Sequence, residues 1–188
     1  MLLYIEEFGK YVEITGYKNI AFHVSEAFLK ANRKQTHQNL DIQFFDAEII
    51  ATQEHLYCAV LNALQAFKNQ TNLSKTPAME TILYASAQRQ IQKAIERCGI
   101  KPKTKNMALI IIGDDPIQMR DALEEITKSV GSDSNESVLT VTKNKEAIIK
   151  KTFKISNQEL KTVIENGETE KAIVNLVIER VALLSTQL

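Results

Sequence analysis

Glycine and proline are scarce, six and three in 188 residues. That leaves little material for glycine-rich phosphate loops or strained nucleophile elbows, which puts an enzyme at a disadvantage. Two cysteines, Cys58 and Cys98, make no disulfide framework, so a reducing cytoplasm is the default compartment. No apolar run approaches the roughly 18 residues of a membrane span. The first ten residues carry Glu6 and Glu7 and no long apolar core, so no secretory signal is expected. Net charge is absent as well: 23 basic side chains balance 23 acidic ones, which excludes a polycation of histone type. What is present is ordinary. A chain 44% hydrophobic and 24% charged can bury the core of one globular domain and is wrong for a disordered protein.

Several element boundaries are written locally. Leu3 and Ile5, then Tyr11, Val12 and Ile14, flank Gly9 as two strand-like runs and predict a hairpin. Residues 25–33 read as a short helix, and 41–50 as β-rich. Thr52 is placed to cap a helix with Glu54 in its first turn and Leu56, Val60, Ala63, Leu64 and Phe67 at helical spacing. Thr76-Pro77 signals a second helix start. Ser86 is expected to cap a third helix running to Cys98, with Ala87, Ile91, Ala94, Ile95 and Cys98 as its apolar face. Gly99 and Pro102 would end it. Residues 107–112 are continuously apolar, as a buried strand requires. Asp115-Pro116 starts another helix to about Val130. Residues 131–136 form a polar loop, 138–141 a last strand, and Ser156 with Glu159 a capping box whose helix ends at Gly167. A terminal helix follows over 168–184. Strands and helices without regular βαβ alternation predict an α+β fold: a small mixed or antiparallel sheet packed against a helical bundle, as a single domain over 1–188.

Charge is the strongest local signal. Between Arg89 and Lys105 stand six basic residues (Arg89, Lys93, Arg97, Lys101, Lys103, Lys105) and one acid, Glu96. Arg89, Lys93 and Arg97 are four apart, so on a helix they share a face. With Ser86 as cap, free backbone N–H groups beside a guanidinium would make a phosphate site that Lys75 could reach. A plainly solvated helix face accounts for the same pattern. In the terminal helix, Ile173, Val174, Val177, Ile178, Val181, Ala182 and Leu184 cover half the wheel. Leu176 and Leu183 fall on the other half, near Glu179 and Arg180. They read either as a partner-packing surface or as residues covered by another helix of the chain.

Sites for chemistry are sparse. No two of His23, His37 and His55 have metal-ligand spacing on one helix. His55 and Cys58, three apart on a helix's polar side, could bind metal or form a nucleophile pair. Asp114-Asp115 could be a carboxylate pair, although helix capping before Pro116 explains them better.

One resemblance runs through most of the chain. Glu54-His55-Leu56, the run 59–66, the run 80–86, Arg89-Gln90-Ile91, Ala94-Ile95 and Gly99-Ile100 occur in a familiar order. Phe153, Ile155, Glu159-Leu160 and the run 176–184 continue it. The sequence resembles the CGI-type regulatory subunits of the KEOPS complex. The resemblance implies a non-catalytic protein; no cofactor, metal or membrane is expected, and the cytoplasm is expected from the missing targeting signals and the cysteines alone. It implies binding to and stimulation of the KEOPS kinase/ATPase, and through it assembly with the rest of the complex. It also implies recruitment of tRNA by its single-stranded 3′ CCA end for threonylcarbamoyl-adenosine formation by another subunit. The Ser86-to-Ile91 stretch resembles the family's Gly/Ser-x-Arg-Gln-Ile helix start, with Ser86 near where many members have glycine. On this reading Arg89 contacts a phosphate and Lys75 assists. Gln90 or Ser86 meets a base edge, an exposed apolar side chain stacks a base, with Ile91 either that residue or part of the core, and Lys93, Arg97 and Lys101 steer the backbone. Leu176, Arg180 and Leu183 are the kinase-contact candidates. A protein-only scaffold and, from another class, a small metal-dependent enzyme using His55, Cys58 and Asp114 or Asp115 are the alternatives.

Overall fold

A computed structural model describes residues 1–20 and 39–186. The helix expected over 25–33, with His23 and His37, lies outside the described residues. The hairpin forms as its pattern requires. Strands β1 (Leu2–Ile5) and β2 (Lys10–Tyr17) pair antiparallel around Gly9, which turns the chain at φ 61°. Strands β3 (Asp41–Asp46) and β4 (Met107–Gly113) complete an antiparallel sheet of order β1-β2-β4-β3.

The interior position of β4 explains its unbroken apolar sequence. All seven of its residues are buried. Ala108, Ile110 and Ile112 enter one core, Met107, Leu109 and Ile111 the other, because successive side chains leave a strand on opposite faces. On the second face lies α4 (Pro116–Val130), packing Met119, Ala122 and Ile126. The first face carries the larger core and the remaining helices: α1 (Gln53–Lys68), α2 (Pro77–Ala85), α3 (Ile91–Cys98), α5 (Lys143–Phe153), α6 (Asn157–Val163) and α7 (Thr169–Leu183). The expected α+β architecture is present.

Helix starts match the sequence where an oxygen side chain announces them. Thr52 accepts from the His55 N–H, Thr76 from Met79, Asp115 from Ile117, and Ser156 closes its capping box with Glu159. The exception is Ser86, which is the C-cap of α2 rather than the N-cap of a third helix. α3 begins five residues later with Gln90 as an N-cap that makes no side-chain bond. Residues 136–139 form a 3₁₀ turn instead of the expected strand. The buried Lys145 ties that turn to α5, its Nζ donating to the Val138 carbonyl at 2.7 Å, and burial brings its pKa down to about 8. The capping-box helix stops at Val163, before Gly167.

Scarce glycine shows in the helix ends. α2 closes with the Ala87 N–H donating to the Tyr84 carbonyl and the Gln88 N–H to Leu83. That is the paired-bond ending normally built on glycine in the left-handed region. Here the left-handed residue is Ala87, at φ 49°, and Gln70 and Lys154 do the same after α1 and α5. Gly99, expected as such a cap, has φ −72°. It is needed for space, since a Cβ there would lie 2.5 Å from the Ile95 carbonyl oxygen. A left-handed alanine costs roughly 1 kcal/mol against glycine. Ala87→Gly is therefore expected to stabilise the protein by about 0.5–1 kcal/mol, read as a higher urea midpoint at unchanged slope.

Candidate nucleic-acid interface

The basic segment is divided by the end of α2. The left-handed Ala87 reverses the chain, so Arg89 precedes α3 rather than lying on it. Its side chain is half-buried and, among the described residues, makes no hydrogen bond or ion pair. It lines a cleft of about 230 Å³ with Leu73, Glu80, Tyr84, Leu184 and Ser185. Glu80 is committed to the cleft wall: its buried carboxylate accepts the N–H groups of Leu73 and Ser74, at 3.0 and 2.7 Å. The Tyr84 phenol is raised in pKa by burial and by Glu80, against Arg89, which lowers it. Its hydroxyl has no hydrogen-bond partner among the described residues. A guanidinium and a phenol are thus two polar groups of the cleft with no hydrogen-bond partner among the described residues. Its volume falls below the roughly 300–1,000 Å³ of drug-sized ligand sites, so it suits a single planar ring better than a whole nucleotide cofactor.

The other predicted residues sort unevenly around this point. Gln90 is exposed and leaves the first N–H groups of α3 uncapped directly after Arg89. The helix N-terminus and the guanidinium therefore do adjoin, with the helix start displaced from Ser86. Ser86 itself is fully buried, and its hydroxyl donates to the Leu83 carbonyl at 3.1 Å. Ile91 and Ile95, expected on the apolar face, are 40% and 41% exposed, whereas Ala94 and Cys98 are buried. Lys93 is exposed beside them. Arg97 is engaged: its Nη1 donates to the Ser86 carbonyl at 2.8 Å. Lys75 is exposed but stands before α2, while Arg89 follows it. Nine helical residues, about 13 Å of helix, lie between them.

The terminal helix requires a correction. Leu176 is 2% exposed, so it belongs to the core and not to an outward face, while Leu183 is 40% exposed. The wheel assumed one apolar half, but α7 packs against α1, α2, α5 and α6. Arg180 forms an ion pair and hydrogen bond with Glu159 of the α6 capping box, and this bond holds the Glu159 carboxyl below its ordinary pKa.

The residues of the metal-enzyme alternative have other occupations. His55 is fully buried, not on a polar face. The Ala51 N–H donates to its Nδ1 at 3.2 Å, so Nε2 carries the proton and donates to the Ala85 carbonyl at 2.9 Å. Burial, then the Glu54 carboxylate, raises the Cys58 thiol pKa, and burial pushes Cys98 up to about 12. Both thiols are thereby disfavoured as nucleophiles. Asp115 caps α4 and Asp114 pairs with Lys10 at 2.6 Å. Among the described residues no three His, Cys, Asp or Glu side chains are grouped to hold a metal, and no helix is long and apolar enough to cross a membrane.

Sequence reasoning missed Tyr84, Leu73 and Leu184. The cleft draws on the stretch after α1, on α2 and its following turn, and on the C-terminal turn at Leu184–Thr186. No local pattern joins segments so far apart. The useful signal was indirect: a tyrosine near the end of α2, five residues before Arg89.

The fold is a small α+β domain, and Arg89 and Lys93 stand at the junction of α2 and α3 beside the cleft. The chain belongs to the CGI-121 family: the family model described as "Kinase binding protein CGI-121" matches residues 17–185. It is 30% identical over 126 residues to the "Regulatory protein Cgi121" of Methanocaldococcus jannaschii, covering 67% of this chain and 79% of that one. It is 28% identical over 90 residues to the "EKC/KEOPS complex subunit cgi121" of Schizosaccharomyces pombe, covering 48% of this chain and 51% of that one.

Proposed function

We propose that this protein is a non-catalytic, cytoplasmic subunit of a KEOPS tRNA-modification complex. It docks on the complex's kinase/ATPase, stimulates it, and holds tRNA by the single-stranded 3′ CCA end. The observation that carries the RNA assignment is Arg89, without a partner among the described residues, lining a cleft of one-ring size immediately before the uncapped N-terminus of α3. A guanidinium and free helix N–H groups together favour a phosphate. An adjacent pocket for an unstacked base is what single-strand recognition requires. In this reading the Tyr84 hydroxyl meets the base edge, exposed Gln90 and Ile91 flank the strand, and Lys75 and Lys93 act at neighbouring phosphates. The name of the family and those of its relatives support the kinase and KEOPS assignments. Leu183, exposed on the last turn of α7, is the kinase-contact candidate, with Arg180 beside it.

The test is tRNA binding by Arg89→Glu. Reversing one charge at a phosphate contact is expected to weaken binding at least tenfold and to flatten the salt dependence of log K by about one unit. Unchanged affinity and slope would remove Arg89 from the RNA site.

A further inference from the structure

Arg97 entered as one of the steering cations, yet its geometry differs from that of every other candidate. Its guanidinium reaches back from the last turn of α3 to the Ser86 carbonyl at 2.8 Å. His55, from α1, holds the preceding carbonyl, Ala85, at 2.9 Å, and the Cys98 thiol approaches that same oxygen at 3.9 Å. The last carbonyls of a helix have no partner within it, so side chains from two neighbouring helices complete the end of α2. What they enclose is the strained link: left-handed Ala87, two residues before Arg89. A non-glycine residue persists in that region only where its surroundings over-determine it. The Ser86 hydroxyl on Leu83 and the Gln88 side chain on the Ala87 carbonyl, at 3.1 and 2.6 Å, add two further restraints.

We propose that Arg97 is a positioning residue: by holding the Ser86 carbonyl it fixes the turn that aims Arg89 at the cleft, and it does not itself meet RNA. The proposal rests on the reading of Arg89 as the phosphate contact, but the state of the turn can be read without RNA. A planar guanidinium on a fixed carbonyl is a geometric fit that a lysine ammonium does not reproduce. Charge alone is therefore not expected to rescue the function.

The experiment uses the full chain as wild type, Arg89→Ala, Arg97→Ala, Arg97→Lys and the Arg89→Ala/Arg97→Ala double variant. Each is titrated with one intact tRNA at fixed salt, and amide exchange is recorded on the free proteins. Each single alanine variant is expected to bind about tenfold more weakly, and the double variant about as weakly as Arg89→Ala, since residues acting through one contact are not additive. Arg97→Lys is expected to behave like Arg97→Ala. In Arg97→Ala the Ala87 and Gln88 amides exchange faster while β4 amides keep their protection. A double variant weakened about a hundredfold, or full rescue by lysine, would make Arg97 a direct charge contact and overturn the proposal. Unchanged exchange at Ala87 and Gln88 would overturn it independently. Loss of β4 protection would show a general structural role and also count against it. If exchange responds as expected while Arg89→Ala leaves RNA affinity intact, the turn is held as described but the Arg89 assignment is wrong.

Discussion

Leu176→Glu will unfold the protein, and Leu183→Glu will leave its melting temperature within a degree or two of wild type. The two leucines are seven residues apart on one helix, two turns along the same face, and differ in what covers them. Leu176 is sealed by the helices around α7, so a carboxylate there would be buried, and Arg180, one turn on, is already paired with Glu159. Losing the apolar side chain costs about 2–5 kcal/mol, and burying the charge adds more. The total is comparable to the whole stability of an ordinary domain, about 5–15 kcal/mol. Leu183 is 40% exposed, and a surface substitution of this kind stays within about 0.5 kcal/mol. Circular dichroism melts of the two variants check this directly. Leu183→Glu, being folded, is then the variant to test for lost kinase binding. A folded Leu176→Glu would mean that the α7 packing is misassigned.

Acid will remove stability through His55. Burial is the largest cause of its depressed pKa, lowered to about 4, the Ala85 hydrogen bond opposes it, and the Lys145 charge adds to it. In the unfolded chain the imidazole titrates near its ordinary value of 6.5. Between those values the unfolded state takes a proton that the native state refuses, so stability falls as pH falls from about 6.5 toward 4. The full effect is about 3 kcal/mol, of which about 2 kcal/mol is expected by pH 5. Protonation would also turn Nδ1 into a second donor facing the Ala51 N–H. The check is urea unfolding of wild type and His55→Asn at pH 7 and pH 5. At pH 7 the variant should already be less stable by 2 kcal/mol or more, having lost a buried ring and its two bonds. Between pH 7 and pH 5 the wild type should lose about 2 kcal/mol more than the variant. Equal losses would mean that the imidazole is not held neutral.

Much of this fold is legible in the chain because its signals are local. Six apolar residues from Met107 to Ile112 announce a buried strand, and Thr52, Thr76, Asp115 and Ser156 announce helix starts because their side-chain oxygens bond the first free N–H groups. The errors arise where the chain uses an unusual residue for a usual task. α2 ends on a left-handed alanine, so nothing in its sequence separates Ser86 as an ending from Ser86 as a beginning. α5 went unseen because its buried face is Lys145, Ile149 and Phe153, a lysine where the apolar period needs a hydrophobe. Leu176 misled because a helix wheel shows which residues share a face but not how many neighbours the helix has. The cleft was invisible for a related reason: its walls are joined only by tertiary folding. Arg89 was legible as a cation in a basic run. Its distinction from Arg97, one without a partner among the described residues and the other bound to a carbonyl, lies in three dimensions alone.

The central claim is that this domain recognises an unpaired RNA end. The most direct measurement is equilibrium binding of the full chain to one tRNA, prepared with an intact CCA end and with that end removed, at one fixed moderate salt concentration. A site made of one phosphate contact and one base cleft predicts that trimming weakens binding at least tenfold. Equal affinity for the two RNAs would contradict it, reducing the cations around α3 to a general phosphate-binding surface.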